Sequence, residues 1–146
     1  MDRSTGMQKL VAELGLRFGI ADLALDEDGR VALDAGAGLY VELQADDKDA
    51  RLRFMAGLGA PGEEQPAGLM LELLHANAAM GGVASPYFAY NDATREVVIC
   101  AALSRGDLQV DVAERMLQQV IKSAIAGRAY LPHVKWEKIL NSDGSA

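Results

Sequence analysis

The sequence predicts an α+β domain of order α-β-β-β-α-β-β-α, an antiparallel twisted sheet covered by helices and paired as a homodimer. Three observations carry this expectation. Apolar residues recur at helical spacing in three separate stretches. Between the first two stretches the period falls to two, with tight acidic or glycine-rich turns between short runs. The middle helical stretch is apolar on more than one face, more than a surface helix of one small domain needs.

The first helix spans about residues 4–18. Ser4 or Thr5 is placed to cap it, and Met7, Leu10, Val11, Leu14 and Phe18 share a face. Gly19 supplies a stop. Asp26-Glu27-Asp28-Gly29 is a turn signal, after which Arg30–Leu33 reads as a short strand. A second turn at Asp34–Gly38 leads into Leu39–Gln44, where Leu39, Val41 and Leu43 alternate onto one side. A third turn at Asp46–Asp49 leads into Arg51–Ala56, with Leu52, Phe54 and Ala56 inward and both arginines outward. Short turns between alternating strands predict an antiparallel meander with one buried face.

Residues 57–66, rich in Gly, Pro and Glu, read as a connection to a second helix over Ala67–Met80. Leu69, Leu73, Asn77 and Met80 form one stripe of it, while Met70, Leu71 and Leu74 fall elsewhere. A helix apolar all round is hard to bury in a domain this size, so a dimer contact is expected. Gly81-Gly82 ends the helix. Pro86–Tyr90 and Glu96–Leu103 form a hairpin, and a third helix follows over Gln109–Tyr130, closed by Pro132. Residues 1–131 make one domain, and 132–146 a C-terminal extension ending in a mobile Ser/Asp/Gly tail.

The chain has 146 residues, 50% of them hydrophobic and 24% charged, which excludes both a disulfide-stapled scaffold and wholesale disorder. Fourteen basic residues against 21 acidic ones leave a net charge of -7, which disfavours binding to phosphate backbones or anionic membranes. Neither a signal peptide nor an apolar run of membrane-spanning length is present, and a single cysteine suits a reducing cytoplasm. Cys100 lies in the apolar run Val97–Leu103 and reads as a buried structural thiol.

The search for catalytic chemistry is negative. His75 and His133 have no histidine or cysteine at metal-ligand spacing, so no metal is expected. There is no phosphate loop and no nucleophile elbow, and Gly36-Ala37-Gly38 lacks the strand-turn-helix setting of a nucleotide site. Asp26–Gly29 lacks the later ligands of a calcium loop. The acidic pairs Asp46-Asp47 and Glu63-Glu64 fall in connections, where solvated charge is expected, not acid–base catalysis. No catalytic residue and no cofactor is assigned. What remains are surfaces: an unpaired helix, sheet with alternating apolar residues, and a sheet edge suited to an extended peptide.

Leu73-Leu74-His75-Ala76-Asn77, then Gly81-Gly82, then the hairpin Pro86-Tyr87-Phe88-Ala89-Tyr90 to Val97-Val98-Ile99-Cys100, resembles the leucine-leucine-x-alanine-asparagine helix, glycine and strand-turn-strand of the class I type III secretion chaperones, the Tir-chaperone family. The likeness runs from about Met7 to Leu131. It implies a non-catalytic cytoplasmic homodimer that binds the N-terminal, extended segment of a secreted effector and keeps it soluble for export. Carried onto this sequence, the resemblance implies a dimer interface from Leu69, Leu73, Ala76, Asn77 and Met80, with Tyr87, Phe88, Val97 and Ile99. Effector patches are implied at Leu16, Phe18, Leu23, Leu39, Val41, Leu43, Leu52 and Phe54, some of which must be plain core. The extension with Lys135-Trp136-Glu137-Lys138 is outside the family pattern. A regulatory adaptor of the same fold, or a small ligand-binding or enzymatic α+β domain, are the alternative functions.

Overall fold

A computed structural model describes residues 3–36, 38–46, 48, 50–61, 66–80, 85–130 and 136–137. Helix α1 (Arg3–Arg17) precedes strands β1 (Arg30–Asp34), β2 (Tyr40–Asp46) and β3 (Arg51–Pro61). Helix α2 (Pro66–Met80), strands β4 (Tyr87–Asn91) and β5 (Glu96–Leu103), helix α3 (Val110–Tyr130) and a short β6 (Trp136–Glu137) follow. The predicted order is recovered, with β6 as an addition to which the sequence assigned no element. Gly81 and Gly82, expected to end α2, lie outside the described residues, as do His133, Glu63 and Glu64.

The five main strands form an open antiparallel sheet of order β1-β2-β3-β5-β4. The turn that leads into β1 is set by Asp26, whose carboxylate accepts the backbone N–H groups of Asp28 and Arg30. Gly29 must be glycine there: its φ is +76°, and a Cβ would stand 2.8 Å from the Ala45 carbonyl oxygen.

The strand β3 is longer than the alternation Arg51–Ala56 predicts. Two glycines made residues 57–61 read as a connection, yet they continue the sheet. Gly57 pairs with Val98 and Gly59 with Val97, the register slipping by one between them. Leu58, in phase with Leu52, Phe54 and Ala56, stays on the buried side through this irregularity. Gly57 also leaves the space that the Glu96 carboxylate fills.

One face of the sheet carries Leu33, Val41, Leu43, Leu52, Phe54, Ala56, Leu58, Phe88, Val97, Ile99, Ala101 and Leu103 into a single core. Helix α3 packs over β3 and β5 and is itself flanked by α1, contributing Ala113, Met116, Leu117, Val120 and Ala124. Gly127 of α3 comes close to the Phe88 ring and Leu58. At the other end of α3, Arg17 bridges Asp111 at 2.9 Å and Glu114 at 2.6 Å, joining the end of α1 to the start of α3. Such exposed pairs add little stability.

Candidate functional site

Helix α2 lies beside β4, the outer strand of the sheet, and is tied to it by one side chain. The Asn77 carboxamide donates to the Phe88 carbonyl at 3.0 Å and accepts the Phe88 N–H at 2.6 Å. A single side chain thus answers both backbone groups, as a neighbouring strand would. Gln8 does the same for Leu25 on the other side of the molecule, bonding its N–H and C=O at 2.9 Å each.

This tie decides which face of α2 is open. Leu73 is buried in the chain's own core, with Met70 and Ala76 packed against it. The stripe expected at the dimer interface therefore turns inward at Leu73, Ala76 and Asn77, because Asn77 must reach the β4 backbone. Leu69 and Met80 lie on the same helix, their side chains outside the described set. Among the described residues, the large apolar side chains left uncovered on α2 are Leu71, 70% exposed, and Leu74, 65% exposed. On the strands, Phe88, Val97 and Ile99 belong to the core, while Tyr87 is 46% exposed.

The candidates for effector patches divide in the same way. Leu23, Leu39, Val41, Leu43, Leu52 and Phe54 are buried in the core and offer no surface. They alternate with polar residues because the sheet has one buried face, which is the plain reading of period two. Leu16 on α1 is 65% exposed, and Phe18 just after it is partly buried against the core. Leu71, Leu74, Tyr40 and Ile125 are exposed large residues that the sequence reading did not place at a site. Leu71 and Leu74 have a visible signal, an i,i+3 pair of leucines off the main stripe; the rest have none.

The reverse face of the sheet is not purely polar. Val98 and Cys100 are buried there, apart from the main core. Burial pushes the Cys100 thiol up, an effect that the nearby Arg53 only partly offsets, so it stays a neutral structural thiol. On the same face Glu96 extends its carboxylate over Gly57 and accepts from the Thr94 hydroxyl at 3.0 Å. Burial raises its pKa above the usual carboxylate range; the Thr94 bond lowers it, and the neighbouring Glu42 adds to the rise. Protonated Glu96 is therefore favoured by folding. Its contribution to stability is fully present below the unfolded pKa and is lost as pH rises through the folded one. We expect Glu96→Gln to raise the midpoint of urea unfolding at pH 7 and to reduce its drift between pH 4 and 7; an unchanged drift would refute the assignment.

Among the described residues no three metal-ligating side chains converge, and no helix is long and apolar enough to cross a membrane. The surface hollow bounded by Gln8, Leu25, Asp26–Gly29 and Ala45 is open and polar.

The family profile of the Tir chaperone protein (CesT) family matches residues 9–128, from the middle of α1 through nearly all of α3. The chain belongs to the Tir chaperone (CesT) family. No curated protein sequence matches it. Among solved structures it is similar to a chain of the ExsC–ExsE complex, with 23% identity and a TM-score of 0.77 over 90% of this chain and 97% of that one. A chain of the HopA1–SchA chaperone–effector complex matches with 14% identity and a TM-score of 0.71, covering 86% of this chain and 95% of that one. A chain of the ExoU–SpcU heterodimer, from the type III secretion system of Pseudomonas aeruginosa, matches with 21% identity and a TM-score of 0.62, covering 88% and 97%. The fold is thus that of the type III secretion chaperones, and the family is one of chaperones, not enzymes.

Proposed function

We propose that this Tir-family protein is a cytoplasmic type III secretion chaperone which, as a homodimer, holds the N-terminal segment of a secreted effector extended and soluble before export. The observation that carries this reading is the family match across most of the folded body, residues 9–128. The similarity to chains of chaperone–effector complexes supports it.

In this reading the homodimer forms on the open side of α2, at Leu71 and Leu74, with Tyr87 of the adjoining strand. Each exposes apolar surface that a second copy would cover, and a stable pair needs on the order of 1,200 Å² in total. For the effector, Leu16 and Phe18 keep apolar surface available, while the buried strand residues shape the body beneath. A net charge of -7 keeps such a surface soluble.

Two measurements test this. Coexpression with the N-terminal region of its cognate secreted protein should yield a soluble complex in which the effector segment is cut readily by protease. Light scattering should give a dimer for the wild-type chain and a folded monomer for Leu71→Asp/Leu74→Asp. A strictly monomeric wild-type chain that retains no exported segment would overturn the proposal.

A further inference from the structure

Strand β3 outruns both of its neighbours. Its pairing with β2 ends at Val41 and Ala56, and its pairing with β5 ends at Val97 and Gly59. Ala60 and Pro61 lie beyond, and among the described residues they pair with β6 alone: Ala60 with Glu137, Pro61 with Trp136. This stretch is poor in side chains, with glycine at 57 and 59, so anything that pairs here is read through its backbone.

The strand that occupies it is an addition to the domain. The family match stops at residue 128, and every residue of the described core lies between Met7 and Ala124. A ladder of two residue pairs, one of them contributed by a proline without an N–H, is weak on its own. It holds because five residues connect α3 to β6, and so short a tether gives an effective concentration on the order of millimolar.

We propose that the end of β3 beyond its pairing with β2, residues 57–61, is a strand-acceptor site for an extended polypeptide, its tip at Ala60 and Pro61 closed in the free chain by the chain's own C-terminal strand. The tail is a built-in competitor: a segment that pairs here must displace it. Weak, non-cognate segments are then excluded by the tether, and the exclusion needs no sequence-specific pocket. This goes beyond the effector reading and does not depend on which polypeptide the protein serves.

The test uses the full chain carrying Trp136→Pro and Glu137→Pro, which removes the pairing of β6 with β3. The probe is a fluorescein-labelled synthetic peptide of residues 132–146, followed by anisotropy, with circular dichroism confirming that the variant is folded. The variant should bind the peptide at least about tenfold more tightly than the wild-type chain, whose own tail fills the site. Hydrogen exchange should show the peptide protecting residues 57–61 of the variant. Equal affinity for the two chains, no binding by either, or protection confined to another part of the sheet overturns the proposal. Because no effector is used, failure here is distinct from failure of the chaperone reading.

Discussion

Phe54→Ala is expected to destabilise the protein by about 3–5 kcal/mol, the range for removing a fully buried aromatic ring from a packed core. Phe54 is 0% exposed on the central strand β3. Its neighbours across the ladder are Leu43 on β2 and Ala101 on β5, both also buried. None of these groups belongs to a loop that could close over the space, so the cavity persists. Against a typical domain stability of about 5–15 kcal/mol, the loss is a large share of the total. Urea unfolding by far-UV circular dichroism measures it directly. The expected signature is a lower midpoint with little change in slope, and a loss below about 1 kcal/mol would show that this part of the core is not tightly packed.

The second large effect is at Asn77. Asn77→Leu preserves side-chain bulk but leaves the Phe88 N–H and carbonyl without their partner, at a cost of about 1–3 kcal/mol. The substitution has a further consequence that Phe54→Ala lacks. It uncovers the outer edge of β4, and an unpaired edge recruits other strands. Reduced stability should therefore come with concentration-dependent association, visible by light scattering. A variant that loses stability but stays monodisperse at all concentrations would mean that α2 shields the edge without this side chain.

The sequence shows the element order plainly because its signals are local. Leu39, Val41 and Leu43 alternate, Asp26 and Gly29 mark a turn, and Leu10, Val11 and Leu14 keep helical spacing; each of these places its own segment. The far half of β3 is harder to read. Gly57 and Gly59 carry no period, and their place in the sheet depends on Val97 and Val98, about 40 residues onward in the chain. The same distance effect governs the candidate site. Periodicity shows that α2 has more apolar residues than one face can hold, yet it cannot say which face turns inward. The hydrogen bonds from Asn77 to Phe88 settle that, and they exist only once β4 has docked. The buried residues among the effector candidates reflect the same ambiguity, since a patch residue and a core residue look alike along a strand.

The burial of β5 on both faces has a consequence for the chain before it is folded. From Val97 to Leu103 it presents seven residues without a charge, proline or glycine, rich in β-branched side chains. Such a run is the composition that stacks into cross-β aggregates when left unpaired. In the finished sheet it lies between β3 and β4 and is protected on both edges. During synthesis, β3 is made first and waits for it across the whole of α2 and β4. The residues that bracket the run are Arg95 and Glu96 on one side and Arg105 on the other. They act as gatekeepers, charges that interrupt intermolecular stacking during that interval. Glu96 thus has a role in the nascent chain, where it is solvated and ionised, opposite to the half-buried carboxyl it becomes over Gly57. The discomfort of that carboxyl in the native sheet is the counterpart of safe passage through folding.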